Sequence, residues 1–223
     1  MPFRDKNTTR RVMIVDDHPM MRTGLAQLID NEPDLKVCAE ADTARQALEF
    51  VTSQKLDLVI LDISLPDKNG LEVIKDIHAQ KPDMPILIVS MHDEALYAER
   101  VLRAGARGYV MKQEGGKKLM GAIRQVLTGQ IAVSEKMSAR ILEAFSGQRT
   151  KAATTVDRLS DREFEVFQLI GQGKGTREIA QHLRLSVKTI EVHRANIKHK
   201  LDLRTGNDLV RHAIRWVDSQ GDK

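Results

Sequence analysis

The sequence predicts an α/β chain: a doubly wound, five-stranded parallel sheet, followed by a second, all-α domain. Three observations predict it. Short apolar runs alternate with stripes of helical period from about residue 11 to residue 128. Those runs lead into Asp, Ser and Lys in turn. Beyond about residue 156 the apolar pattern is helical throughout.

The elements follow in order. Arg11 to Val15 is a short apolar strand that runs into Asp16 and Asp17. His18 to Ile29 is a helix, with Met21, Leu25, Leu28 and Ile29 near helical spacing. Leu35 to Ala39 is the second strand, and Thr43 to Ser53 a helix striped by Ala44, Ala47, Leu48 and Val51. Leu56 to Leu61 is a buried strand that ends at Asp62, and a helix covers about Gly70 to Gln80. Pro85 to Val89 is a strand ending at Ser90, with a helix from Glu94 to Ala104. Gly108 to Met111 is a strand ending at Lys112, with a helix from Lys117 to Thr128. Strands alternating with helices in this way imply a parallel sheet covered on both faces.

The stretch after Ser134 changes character, and about 146–156 reads as a linker rich in small and polar residues. The expected division is therefore 10–128, then a helical extension and linker over 129–155, then 156–219.

Composition narrows the function. The chain has 223 residues, and no apolar run approaches the roughly 18 residues of a membrane helix. The first eleven residues are polar and charged, unlike a secretory leader. One cysteine, Cys38, excludes an intramolecular disulfide and a Cys-rich zinc site. A cytoplasmic address without membrane attachment is the expectation. Residues 1–133 carry 18 Lys/Arg against 19 Asp/Glu, whereas residues 154–223 carry 13 against 10. A polyanion is therefore expected to bind the back of the chain.

In an open parallel sheet, residues at the carboxyl ends of the strands face one crevice. Asp16, Asp17, Asp62, Ser90 and Lys112 occupy those ends. One Asp after an apolar strand is often no more than a solvated strand end, but this joint placement is far harder to obtain by chance. Neighbouring carboxylates raise one another's pKa unless a cation neutralises them. Hard oxygen ligands suit Mg²⁺. A carboxylate flanked by a cation, an ammonium and a hydroxyl can accept a phosphoryl group, since they offset charge on its oxygens.

These residues resemble the receiver domain of two-component response regulators, a flavodoxin-like fold, over about residues 10–128. The matching text is Asp16-Asp17, the run Asp62-Ile63-Ser64-Leu65-Pro66-Asp67-Lys68-Asn69-Gly70, Ser90, and Tyr109 followed by Lys112. The resemblance implies that Asp62 is the phosphoacceptor. It implies that Asp17 and the Ser64 backbone carbonyl ligate Mg²⁺ beside Asp62, with Asp16 contributing directly or through water. Lys112 would pair with the phosphoryl oxygens, Ser90 would hydrogen-bond to them, and Tyr109 would be the aromatic switch, moving inward as Ser90 is drawn to the phosphoryl group. Pro66 fixes the loop, and Gly70 permits a turn into the helix. Met91 and Gln113 depart from the commonest receiver pattern but look like the subfamily joined to LuxR-type DNA-binding domains.

The back of the chain has sharply marked helices. Ser160-Asp161-Arg162-Glu163 is a capping box before Phe164, Phe167, Leu169 and Ile170. Gly171 and Gly173 stop that helix, and the Gly-rich run to Thr176 belongs to the following turn. Thr176 starts a short helix, Arg184-Leu185-Ser186 is a tight turn, and Val187 to Leu201 is a long basic helix. Thr205 to Asp208 caps a last helix to about Val217. A short helix, a tight turn and a long helix describe a helix-turn-helix. At 100° per residue, Ile190, His193, Ile197 and Leu201 share the inward stripe. Lys188, Val192, Ala195 and His199 lie opposite, flanked by Glu191 and Lys198.

The segment resembles the LuxR-type helix-turn-helix family over about residues 156–217. The match rests on Leu159-Ser160-Asp161-Arg162-Glu163, Thr176-Arg177-Glu178-Ile179-Ala180, the run Ser186 to Arg194, and Lys200-Leu201. It implies contacts to double-stranded DNA from Lys188, Thr189, Glu191, Val192, Arg194, Ala195, Lys198 and His199. Glu191 stands where the family often carries Lys or Arg.

The combination points to a DNA-binding response regulator of the NarL/FixJ type, fed by a sensor histidine kinase and acting as a homodimer. It is not expected to be an enzyme: an Asp-x-Asp phosphatase would separate Asp16 from Asp17, and a phosphorelay shuttle would end near residue 130. Leu209, Val210, Ala213 and Ile214 exceed what a small helical core needs, so part of that stripe is expected at a two-fold contact. His18 is assigned a loop role, Cys38 a place in the core, and Trp216 packing or a dimer contact.

Overall fold

A computed structural model describes residues 9–145 and 155–221. The expected linker, 146–156, lies almost wholly outside the described residues. The chain divides into two compact units, Met1–Leu142 and Glu143–Lys223, a boundary that falls inside the stretch 129–155.

The first unit alternates β1 (Arg10–Val15), α1 (Pro19–Asp30), β2 (Leu35–Ala41), α2 (Ala44–Ser53), β3 (Leu58–Leu61) and α3 (Gly70–Gln80). It continues through β4 (Ile86–Ser90), α4 (Glu94–Ala104), β5 (Gly108–Met111) and α5 (Gly116–Leu127), and α6 (Glu135–Phe145) starts in it and runs across the boundary. The sheet is parallel throughout, in the order β2-β1-β3-β4-β5. β1 therefore lies between β2 and β3, and the chain reverses its direction of travel there, which opens the crevice at the carboxyl ends of β1 and β3.

The central strands read as apolar runs because both faces are covered. Met13, Ile14, Leu58, Val59 and Leu61 are fully buried. Of the α1 stripe, Leu25 and Ile29 enter the core, whereas Leu28 is exposed. Polar side chains close the helix starts. Thr43 caps α2, Asn69 caps α3 and Asp93 caps α4, each accepting a backbone N–H of the first turn. Each cap is worth about 1 kcal/mol.

Some boundaries differ from those the sequence predicts. β2 continues to Ala41 because its pairing with β1 resumes after a register shift at Cys38, with Ala39, Glu40 and Ala41 opposite Met13, Ile14 and Val15. β3 begins at Leu58, two residues late, because Asp57 is otherwise engaged: its carboxylate accepts from the Arg11 N–H and the Arg10 guanidinium. Gly70 has no left-handed φ. It is glycine because a Cβ there would lie 2.6 Å from the Asp62 carbonyl oxygen. Cys38 is half-buried, with its thiol donating to the Val12 carbonyl.

The second unit holds α7 (Asp161–Gly171), α8 (Thr176–His182), α9 (Val187–Lys200) and α10 (Gly206–Gly221). Phe164, Phe167, Leu169, Ile170, Ile179, Ile190, Ile197, Leu209 and Ala213 form its buried core. Trp216 packs edge-on against Phe164 and Phe167, so packing is its role in this fold. A Cβ at Gly171 would strike Val217 and the Ala213 carbonyl, which keeps α7 and α10 close. Gly173 is the left-handed residue that ends the turn after α7, with φ of 83°. Of the α10 stripe, Leu209 and Ala213 are core, Val210 is half-buried and Ile214 exposed.

Candidate functional site

The carboxyl ends of β1, β3, β4 and β5 deliver Asp16, Asp17, Asp62, Ser90 and Lys112. Asp16, Asp62 and Ser90 are buried at 1%, 3% and 0% exposure, deep enough for charge pairing to matter. The Lys112 ammonium lies 2.7 Å from Asp16 Oδ2 and 2.7 Å from Asp62 Oδ2, bridging the two carboxylates. Burial works against that ammonium. The facing Asp62 and Asp16 carboxylates outweigh it and hold Lys112 above its ordinary pKa. Burial pushes Asp62 up, Lys112 offsets this, and Asp16 adds to the rise.

One lysine does not satisfy the cluster. Asp62 Oδ1 is buried with no hydrogen-bond partner. Asp16, Asp17, His18 and Asp62 each offer a ligand atom, and these atoms all lie within 4.8 Å of one another. A buried carboxylate oxygen left unmatched costs free energy unless a cation meets it. The donor set is dominated by carboxylate oxygen, so the residues present fit a hard divalent cation.

His18 lies in the loop before α1, as the sequence suggests, and has a second role there. Its Nδ1 is 2.7 Å from Asp17 Oδ1 and 3.2 Å from Asp16 Oδ1, so it belongs to the acidic cluster as well as to the loop. Its position directly after the acidic pair is the available signal. Ser64 also has a contact that spacing does not reveal: its hydroxyl is 2.9 Å from His92 Nε2. His92 donates its backbone N–H toward Ser90 Oγ at 3.4 Å, and its ring packs on Tyr97 at a centroid distance of 4.6 Å.

Tyr109 is already inward in this structure, with 2% exposure. Its hydroxyl donates to the His92 carbonyl at 2.8 Å. The expected inward movement is therefore not needed to bury the ring. Burial raises the Tyr109 pKa, and the hydroxyl remains a donor.

The second unit presents its own surface. Ser186 caps α9 by accepting the Thr189 N–H at 3.0 Å, and the two hydroxyls lie 2.7 Å apart. Ile190, Ile197 and Leu201 are buried, while His193 is half-buried. Lys188, Glu191, Val192, Ala195 and His199 are exposed, and Thr189, Arg194 and Lys198 are half-buried. The two faces of α9 thus divide along the expected line. α9 is held by a pair the sequence does not reveal: Lys200 Nζ donates to Glu163 Oε2 at 2.6 Å. Arg162 ties α7 to the turn after α8, donating to the Leu183 carbonyl and to Glu165. Arg184, in that turn, takes a left-handed φ of 52°.

No helix among the described residues is long and apolar enough to cross a membrane.

Comparison with known proteins agrees with this geometry. The response regulator receiver domain family matches residues 12–124. The bacterial regulatory proteins of the luxR family match residues 157–213. The chain is 35% identical over 210 residues to the oxygen regulatory protein NreC of Staphylococcus haemolyticus (strain JCSC1435), covering 92% of this chain and 97% of that one. A LuxR-family two-component response regulator from Aurantimonas sp. SI85-9A1 aligns with a TM-score of 0.58 and 35% identity, over 62% of this chain and 99% of that one. RcsB of Salmonella enterica serovar Typhimurium, bound to promoter P1flhDC with the phosphomimetic BeF3-, aligns with a TM-score of 0.61 and 25% identity, over 92% and 98% of the two chains. With a receiver domain in front and a luxR-family helix-turn-helix behind, the chain belongs to the two-component response regulators of the NarL/FixJ type, DNA-binding regulators of transcription.

Proposed function

We propose that Asp62 is the phosphoacceptor and that its phosphorylation controls dimerisation and DNA binding. One observation carries the reading: the buried Lys112 ammonium lies 2.7 Å from the carboxylate that ends β3. The proposed division is a receiver over 10–128, a helical extension and linker over 129–155, and a DNA-binding domain over 156–219.

In the transfer, an Asp62 oxygen forms a bond to phosphorus as the phosphorus–nitrogen bond to a sensor kinase histidine breaks. The electron pair stays on the imidazole nitrogen, which takes up a proton. Asp16, Asp17, Asp62 and the Ser64 carbonyl would hold Mg²⁺, which would offset charge on the phosphoryl oxygens. Lys112 shifts from bridging carboxylates to pairing with a phosphoryl oxygen. Ser90 donates its hydroxyl to another, and Tyr109 responds to the loop that Ser90 begins. The DNA-facing set is Lys188, Thr189, Glu191, Val192, Arg194, Ala195, Lys198 and His199. Thr189, tied to Ser186, acts from the helix start. A homodimer would place two such helices on half-sites roughly 34 Å apart, or a multiple of that. The proposed address is cytoplasmic.

The test is intact-mass measurement after incubation with a small acyl phosphate, with and without Mg²⁺. The expected result is one phosphoryl group, dependent on Mg²⁺ and absent in Asp62→Asn. Undiminished labelling of Asp62→Asn would remove the proposed acceptor. Sedimentation before and after labelling tests the dimer.

A further inference from the structure

Helix starts leave backbone N–H groups without intrahelical partners, and a capping box satisfies them reciprocally. The cap side chain accepts from the first turn, and a carboxylate three residues on accepts from the cap N–H. Two helix starts in the second unit do this within their own sequence: Glu163 accepts from Ser160 N, whose hydroxyl accepts from Glu163 N, and Asp208 accepts from Thr205 N, whose hydroxyl accepts from Asp208 N. At a third, Gly175 has no side chain to cap with, but Glu178 still accepts its N–H.

α6 departs from that rule. Ser134 caps it: its hydroxyl accepts from Met137 N at 3.1 Å, and its carbonyl accepts from Ser138 N at 2.9 Å. The residue three positions on is Met137, which is buried at 4% exposure and packs inward. A carboxylate there would be a buried charge. The acceptor for Ser134 N comes instead from another helix: Glu94 Oε1, at 2.8 Å, forty residues away in sequence.

Glu94 is the first residue of α4 and is buried. It follows the segment Ser90-Met91-His92-Asp93 directly. Ser90 ends β4, and the His92 carbonyl accepts the Tyr109 hydroxyl. The same stretch before α6 is held a second time, since Tyr109 N donates to the Ala132 carbonyl at 2.8 Å. Residues 132–134 are thus fastened to the strand that carries Tyr109 and to the helix that follows Ser90. α6 begins in the first unit and runs across its boundary, and it precedes the helices of the DNA-binding unit in chain order.

We propose that Glu94 is a latch that fastens the start of α6 to α4, and that it loosens when phosphorylation of Asp62 re-sets the segment from Ser90 to Asp93. The inference rests on the reading of Asp62 as the phosphoacceptor. Ser90 and Glu94 are four residues apart, so drawing the Ser90 hydroxyl toward a phosphoryl group shifts the first turn of α4. A hydrogen bond tolerates little lateral shift before it weakens. The borrowed cap makes α6 sensitive to that shift, whereas a cap within α6 would ignore it.

The test is residue-resolved amide exchange on the full chain, with intact mass recorded on the same sample. In the labelled wild-type chain the Ser134 amide is expected to exchange about tenfold faster than in the unlabelled chain, the scale of one charge-assisted hydrogen bond. Amides of β1 are expected to be unchanged. Glu94→Ala is expected to give fast Ser134 exchange without any donor, no further response to the donor, and normal labelling of Asp62. Glu94→Gln keeps an oxygen acceptor and is expected to retain most of the protection. A labelled wild-type chain with unchanged Ser134 exchange overturns the latch alone, even if Glu94→Ala does not fold. Full Ser134 protection in a folded Glu94→Ala does the same. A chain that takes up no phosphoryl group overturns the phosphoacceptor reading and the trigger of the latch with it.

Discussion

The Tyr109 hydroxyl donates to the backbone carbonyl of His92 across 2.8 Å, which joins β5 to the segment between β4 and α4. Tyr109 is buried, so this bond is the polar anchor of a large ring in an apolar setting. Tyr109→Phe keeps the ring and removes the anchor. The expected cost is about 1 kcal/mol of stability. Labelling of Asp62 should persist, while the gain in DNA affinity on labelling should shrink. Thermal unfolding, intact mass and DNA titration on one preparation check all three. An undiminished gain would mean the hydroxyl carries no signal.

Lys112 is the cation that two buried carboxylates share. Lys112→Met preserves much of the volume and removes the charge, leaving Asp16 and Asp62 facing one another. Breaking a buried ion pair from one side costs about 3–5 kcal/mol. The expected result is a marked fall in stability with chelator present, partly restored by millimolar Mg²⁺. Wild type should gain less from the same ion, because Lys112 already neutralises part of the cluster. Equal gains in the two proteins would mean that the divalent ion binds elsewhere.

Much of this site is legible in the sequence because parallel sheets convert sequence order into geometry. Each apolar run that ends in a functional residue delivers it to one crevice, so sequence order alone pairs Asp62 with Lys112. The faces of α9 are legible for the same kind of reason, a fixed rotation per residue. Loop-borne contacts obey no period. The Ser64–His92 contact joins residues 28 apart through backbone paths that leave no spacing signal, whereas His18 is signalled only by standing next to the acidic pair. The Glu94–Ser134 bond is hidden for a further reason: Met137 occupies the position where a capping partner is sought. At Gly70 the sequence suggests a conformational role, yet what this glycine must avoid is the Asp62 carbonyl, a neighbour that appears only on folding.

The outward face of α9 predicts two kinds of DNA defect. Removing one cation that neutralises a phosphate should flatten the slope of log K against log salt by about 0.9. Lys188→Ala and Lys198→Ala should weaken binding across sequences in that way. Val192, of the proposed DNA-facing set, is 52% exposed on the same face, and an apolar side chain can read a thymine methyl. Val192→Ala should leave the salt slope intact and change which sequences are selected. Unchanged affinity of both lysine variants for every duplex would mean this face does not meet DNA.

His193 predicts the acid side of the second unit's stability. It sits on the inner stripe of α9, half-buried, with Nδ1 buried and without a hydrogen-bond partner. Burial depresses its pKa below the ordinary value near 6.5, Arg162 adds to this, and Glu163 and Glu165 oppose it. The unfolded chain therefore takes up the proton first as pH falls. The contribution is complete above about pH 6.5 and is lost progressively below it. His182 is depressed as well, by burial and then Lys174, and adds in the same direction. Glu163 has a depressed pKa although it is buried: burial opposes ionisation, but Lys200 and the Ser160 N–H outweigh it. Its contribution fails in a lower window, below the ordinary glutamate value near 4.5. Trp216 is the single tryptophan of the chain and packs on Phe164 and Phe167, so its fluorescence reports this unit's unfolding. The wild-type midpoint should fall between neutral pH and pH 5, and His193→Gln should reduce that slope while leaving the loss below pH 4.5 in place. The same slope in His193→Gln would assign the loss to other groups, with His182 the first to replace.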